Sequence, residues 1–407
     1  MRKFILLLLI FFSFSSGFAQ NVTFTNILSA INADSIKRTV MDMQAFDSRF
    51  CLHDNKEVAE YLVERLQAYG IENAAIDSFY VEDTTQITGP FAAWMYNVKA
   101  HMEGSVAGDS TLIIGAHLDA IAYDTIYHIY PTTAGADDNA SGIAVMLEMA
   151  RIFHTFNLQP KISLDFMAYD AEELGLFGSR YDAEKRRAAQ ENIVVMLNND
   201  MVGNQPSEEE WKIFLSVYYN SNDVLELTKY ICSTFTLLKY YIPDYYENKY
   251  YNRSDSYSYY DNGFKVNYIS EYQFSPYYHS MLDVYTACNM DYMREVAALN
   301  FGLIYHYSLQ KLQSDMISDD EPLLSRYTIV PNPSKENTRL QFVLSRPSKL
   351  SIHITDLSGK TLQYYEEAYY PKGNHSIALH AQHLSSGIYF CVIHTAQGIK
   401  TLKWIIP

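Results

Sequence analysis

Eight side chains in the middle of the chain could do chemistry if a fold gathered them: His117, Asp119, Asp137, Asp138, Glu172, Glu173, Asp200 and His279. Imidazole with several carboxylates, delivered from separate segments, suits a borderline-to-hard divalent cation, zinc first. Two metals need a ligand that reaches both, and a carboxylate has two oxygens for it. Such a pair clamps a water, lowers its pKa and stabilises the oxyanion formed on attack. A further carboxylate must stay free to take the water's proton and pass it to a leaving amine. Adjacent Glu172 and Glu173 can divide that labour, because neighbouring side chains leaving a strand point in different directions.

The stretch on which these residues turn is Gly135-Ala136-Asp137-Asp138-Asn139-Ala140-Ser141-Gly142. Small neighbours permit a sharp bend and a close approach. Paired acids there are costly unless a cation or a proton compensates them. Asp137 is expected to hold the metal.

The elements that must position these groups can be read from patterning. Residues 111–115 form a short apolar run, a strand buried on both faces, which ends directly in Ala116-His117-Leu118-Asp119. Residues 141–156 predict a helix with Ile143, Met146, Leu147, Ala150 and Phe153 as its stripe and Ser141 as N-cap. Strands over 161–168 and 192–197 end at Tyr169-Asp170-Ala171-Glu172-Glu173 and at Asn198-Asn199-Asp200. Alternating strands and helices imply a largely parallel sheet. The polar residues fall at carboxyl ends of strands, where open α/β sheets place their ligands. A helix over 55–69 and strands at 80–81 and 94–100 precede this set, and a long helix over 291–312 follows it.

Residues 314–321 are polar and acidic, and beyond them short strands at 327–330, 340–344, 350–354 and 388–393 alternate with turn residues. The fold class expected is α/β, a mostly parallel central sheet flanked by helices, followed by a small all-β sandwich. The expected divisions are a signal peptide over 1–19, a catalytic domain over 20–313, a linker over 314–325 and the sandwich over 326–407. The signal peptide rests on Arg2 and Lys3, the apolar run Phe4 to Phe12 and the cleavage pattern Gly17-Phe18-Ala19. Its apolar run is too short to span a bilayer, so the mature protein is expected to be secreted, without stable membrane insertion.

A net charge of −16 over 407 residues argues against nucleic acid or an anionic membrane as partner. The four cysteines, Cys51, Cys232, Cys288 and Cys391, lack C-x-x-C spacing and are expected as buried small hydrophobes. Many of the 35 tyrosines crowd between Tyr240 and Tyr285. Runs such as Tyr245-Tyr246 and Tyr257 to Tyr260 are expected to line the approach to the site and hint at an apolar or aromatic pocket.

His117-x-Asp119, Gly135 through Gly142, Glu172-Glu173, Asn199-Asp200-Met201 and Tyr278-His279-Ser280 together resemble the M28 family of zinc metallopeptidases, over roughly Asn26 to Leu312. The fold so implied is that of the zinc exopeptidases (the phosphorylase/hydrolase type). The resemblance implies that Asp137 bridges two zinc ions, with a cis peptide to Asp138, which shapes the turn. It implies that His117 and Asp200 complete one zinc and Glu173 and His279 the other, with Glu172 as general base and Asp119 orienting His117. Ser256 departs from the family's usual Ser-Asp-His run, and Ser280 replaces the usual Thr in His279-Ser280-Met281-Leu282-Asp283.

In the tail, Pro331-Asn332-Pro333, Asp356-Leu357-Ser358-Gly359-Lys360 and Leu384-Ser385-Ser386-Gly387-Ile388-Tyr389 resemble the C-terminal sorting domain of the type IX secretion system. The function implied is a secreted aminopeptidase acting on peptides or proteins and exported through the type IX machinery. The alternatives are a single-zinc enzyme like glutaminyl cyclase and an inactive binding protein on the same scaffold.

Overall fold

The computed structural model describes residues 23–309 and 324–407, apart from 54, 107–108, 125–127, 206–210, 244–247, 249, 345–347, 358–359, 371–372 and 396–397. The signal peptide, Tyr245-Tyr246 and most of the expected linker lie outside the described residues. The chain divides into two compact units, one ending at Gln310 and the other beginning at Lys311.

Eight strands form one sheet in the first unit: β1 (Ala75–Thr85), β2 (Gly89–Met102), β3 (Ser110–His117), β4 (Ser163–Tyr169), β5 (Asn192–Asn199), β6 (Lys212–Leu215), β7 (Lys239–Tyr241) and β8 (Val266–Glu271). They lie in the order β1-β2-β4-β3-β5-β8-β6-β7. The four inner strands, β4, β3, β5 and β8, are parallel. Antiparallel pairing attaches β2 to β4 and β6 to β8 at the two sides. Every residue of β4 is buried, as a strand covered on both faces requires. The long hairpin of β1 and β2 alternates instead, with Phe79 and Val81 inward and Tyr80 and Glu82 outward.

The helices are α1 (Phe24–Ser29), α2 (Ala33–Gln44), α3 (Lys56–Ala68), α4 (Gly142–Phe156), α5 (Phe177–Ala188), α6 (Asn222–Phe235), α7 (Ser256–Asp261) and α8 (Met290–Ile304). α4 packs on the central strands and against α2 and α8, while α5 and α7 pack together elsewhere against the sheet. α4 is buried without a break from Gly142 to Ala150. Its acid Glu148 is satisfied by Arg151 Nε at 2.7 Å and by the backbone N–H of Asn32 at 2.8 Å.

Three local expectations are corrected. Ser141 is helical and caps nothing: its hydroxyl donates to Asp137 O at 2.7 Å and accepts from Val202 N at 2.9 Å. The last helix is α-helical to Ile304 and continues as a wider π-helical turn, Tyr305–Leu309, while 310–312 of the expected span lie outside the described residues. Residues 257–260 are part of α7 rather than a loop on the approach. Tyr259 is fully buried, bonding Tyr169 OH at 2.8 Å and the Asp182 carboxylate, so this tyrosine serves the core.

The second unit has strands β9 (Leu324–Val330), β10 (Arg339–Leu344), β11 (Ser348–Thr355), β12 (Thr361–Tyr370), β13 (Gly373–Ala378), β14 (Gly387–Thr395) and β15 (Gly398–Ile406). They form two sheets, β13-β10-β9 and β12-β11-β14-β15, in which every pair is antiparallel. Leu340, Phe342, Ile352, Ile354, Cys391 and Trp404 share a core between them. The expected sandwich is what forms. All four cysteines are free thiols; Cys51, Cys232 and Cys391 are buried and Cys288 is half-buried.

Candidate metal centre

The carboxyl ends of three adjacent parallel strands deliver the site. β3 ends at His117, β4 runs into Asp170-Ala171-Glu172-Glu173, and β5 runs into Asp200. The acidic turn meets them because its glycines allow backbone to touch backbone. A Cβ on Gly142 would lie 2.3 Å from Asn199 O, and one on Gly135, whose φ is +52°, would lie 2.5 Å from the Ala120 methyl. Asn139 ties the same joint, donating to Asn199 O at 2.9 Å and accepting from Gly142 N at 2.9 Å.

At this joint the two adjacent acids exchange the places expected of them. Asp138, not Asp137, faces the imidazoles, with Oδ1 3.2 Å from His117 Nε2 and Oδ2 3.2 Å from His279 Nε2. Asp137 turns the other way, where Oδ1 accepts from Gly203 N at 2.8 Å. The cis peptide likewise falls one residue later, between Asp138 and Asn139. The reason is orientation: Asp283 accepts from both Asp137 N, at 2.9 Å, and Asp138 N, at 3.0 Å, and this grip sets which side chain points inward.

The remaining candidates converge on Asp138. His117 Nε2 is 3.3 Å from Asp200 Oδ1, and His279 Nε2 is 2.8 Å from Glu173 Oε2. Ligand atoms of His117, Asp138 and Glu173 lie within 4.8 Å of one another, as do those of His117, Glu172 and Asp200. Asp119 stands beside His117, its carbonyl 3.2 Å and its Oδ1 3.5 Å from Nδ1. It has a second duty that spacing did not reveal: its carboxylate accepts from Glu172 N at 3.1 Å and Glu173 N at 3.2 Å, pinning the Glu-Glu turn.

The electrostatics ask for positive charge. Among the described residues no lysine or arginine pairs with these acids; their only ion-pair partners are the two histidines. Burial pushes Glu172 well up and Glu173 up to about 7, where the nearby Asp138 charge adds to it. Burial works against ionising Asp138 too, but the bonds to His117 and His279 outweigh it and hold that carboxylate well below its usual range. Burial also lowers His279, yet Glu173 and Asp138 drive it up to about 12. Glu173 Oε1 is buried without a hydrogen-bond partner, and His279 Nε2, close to Glu173 and Asp138, is not aligned with either for a hydrogen bond. Buried acids and orphaned donor atoms of this kind fit divalent cations, and the donor set is N and O only.

Two supporting residues had no role assigned from the sequence. Asp283 was visible only as the end of the run that begins at His279. Arg49 is fully buried and donates to four carbonyls: Leu118 O at 3.0 Å, Met43 O at 3.1 Å, Ala134 O at 2.9 Å and Gly135 O at 2.7 Å. Burial lowers it to about 10. Desolvating a guanidinium costs several kcal/mol, which four charge-assisted bonds of about 1.5–3 kcal/mol each offset. Arg49 belongs to no motif named above, whereas Asp283 closes the run that begins at His279.

Two further polar residues lie outside the centre. His128 is exposed and pairs with Asp124 at 3.4 Å. Ser256 is buried in α7, its hydroxyl 2.9 Å from Tyr218 OH, so its departure from the Ser-Asp-His run falls in the core.

Comparison with known proteins agrees with this architecture. A protein of Pyrenophora teres f. teres named "Probable zinc metalloprotease" is 32% identical over 197 residues, covering 45% of this chain and 41% of its own length. A "Probable leucine aminopeptidase" of Arthroderma otae is 27% identical over 290 residues, covering 68% of this chain and 73% of its own. The chain thus spans less than half of the first relative and most of the second. The structure of LapB from Legionella pneumophila matches with a TM-score of 0.57 at 23% identity, over 71% of this chain and 76% of that one. Bacteroides thetaiotaomicron glutaminyl cyclase matches with 0.55 at 19% identity, over 68% of this chain and 98% of that one. Both share the fold. Residues 328–407 match the secretion system C-terminal sorting domain. The model of peptidase family M28 matches residues 97–304, half of the chain, and to that family the chain belongs.

Proposed function

We propose that the protein is an exported zinc peptidase of the aminopeptidase type, holding two zinc ions about Asp138. The observation that carries this is the placing of the two Asp138 oxygens, each 3.2 Å from a different imidazole. His117 and Asp200 would hold one ion and His279 and Glu173 the other, with the Asp138 carboxylate shared. Two zinc ions so held would supply electrophilic polarisation of the scissile carbonyl and an acidified water. Asp119 and Tyr123 stand at the Nδ1 atoms of His117 and His279 respectively.

Glu172 is the group left to move protons. Its backbone is pinned by Asp119, and its carboxylate is buried beside His117 and Asp200, in an environment that raises its affinity for a proton. It takes the proton of the attacking water and hands it to the departing amine nitrogen, so that the C–N bond breaks as the amine leaves neutral. The relatives' names support a peptidase, and the tail that matches a sorting domain supports export by the type IX route.

Glu172→Gln should keep two zinc ions by elemental analysis while hydrolysis of aminoacyl-anilides falls by about 10²–10⁴-fold. Unchanged turnover would sink the assignment of the base. The glutaminyl cyclase likeness makes the metal count decisive in a second way: one tightly held ion per wild-type chain, with ammonia released from glutaminyl peptides, would favour cyclisation.

A further inference from the structure

Both site imidazoles turn Nε2 to the carboxylates, so each must keep its proton on Nδ1 if Nε2 is to bind metal. A metal-bound imidazole needs a partner for that second nitrogen, which fixes tautomer and ring orientation. His117 has Asp119. His279 has instead the hydroxyl of Tyr123, 2.9 Å from Nδ1. The backbone N–H of Tyr123 also donates to His279 O at 3.1 Å, so one residue holds His279 by side chain and main chain. The Tyr123 ring meets the imidazole edge-on at 5.1 Å, and the Tyr278 ring stacks on its face at 3.7 Å. His279 itself is in the left-handed region, φ +51°, where tertiary contacts must hold it.

We propose that Tyr123 is the positioning residue of His279. Its phenol oxygen accepts the Nδ1 proton, leaves Nε2 free for zinc, and so sets the affinity of the metal position made by Asp138, Glu173 and His279. This rests on the two-zinc reading above. Ring packing alone would survive loss of the hydroxyl, and that separates the two roles.

The test is a zinc titration of the metal-stripped full-length protein against a competing fluorescent chelator, wild type beside Tyr123→Phe. The expected result is two ions in wild type. In the variant, affinity for one of them falls by about tenfold and the other is unchanged. The melting temperature of the metal-free variant should match wild type, since the ring contacts remain. Two ions bound equally well by both proteins overturns the role of Tyr123 and leaves the two-zinc reading intact. A wild type that binds a single ion overturns that reading and the inference with it. Should the variant fail to fold, ¹⁵N-histidine spectra of zinc-loaded wild type decide: His279 must appear protonated at Nδ1 and bound through Nε2, and the opposite tautomer overturns the inference.

Discussion

Asp138 faces two imidazoles, whereas Asp137 faces a backbone amide and lies among buried acids, so the same amide substitution should act differently at each. Asp138→Asn should reduce bound zinc from two ions to one or none and lower hydrolysis by at least about 10²-fold. Asp137→Asn should keep both ions, because its carboxylate is directed to Gly203 N and not to the histidines. Elemental analysis after gel filtration checks both, and metal loss confined to Asp137→Asn would reverse the assignment. Residue type and spacing singled out all eight groups, because polar residues at strand ends stand out against apolar runs, but assigned the two adjacent acids each other's places. Which of two adjacent acids faces inward is a matter of backbone direction, here set by Asp283 more than a hundred positions away, and adjacency carries no trace of it. Arg49 acts on backbone carbonyls and Tyr123 on one imidazole, contacts that leave no spacing pattern either.

The elements that carry the site were readable where burial is complete. β3, β4 and β5 are apolar runs because both faces are covered, whereas β6 and β7 are short and flank the core, so they lack such a run. α7 was hidden by its composition, since Ser and Tyr are mediocre helix formers and tertiary packing overrides them. Below the site, β2 and β4 are joined by an ion pair that makes stability depend on pH. His101 on β2 lies 2.6 Å from Asp165 on β4, and this bond raises the imidazole above its usual value. Burial resists ionising Asp165, but His101 and Arg186 outweigh it and hold the acid below its usual range. A raised histidine stabilises fully below about pH 6.5 and loses that contribution as pH rises through its folded value. The gap in melting temperature between wild type and His101→Gln should therefore be widest below about pH 6.5 and close as pH rises through the raised folded value of the imidazole. A gap that does not change with pH would count against the pair.

At the scale of the molecule, each unit has a core of its own, and among the described residues those of the metal centre all belong to the first unit. Deleting residues 311–407 should leave a folded enzyme with wild-type zinc content and kcat/KM within about twofold, while abolishing its appearance outside the cell. Lost activity in the purified shortened protein would assign the tail a role beyond sorting. The grip of Arg49 on Met43, Leu118, Ala134 and Gly135 has a consequence for assembly. This guanidinium joins a helix end, a strand end and the start of the acidic turn, and the ligands themselves span positions 117 to 279, so the centre exists only where distant segments have met. On refolding, zinc uptake should rise together with native structure and never ahead of it.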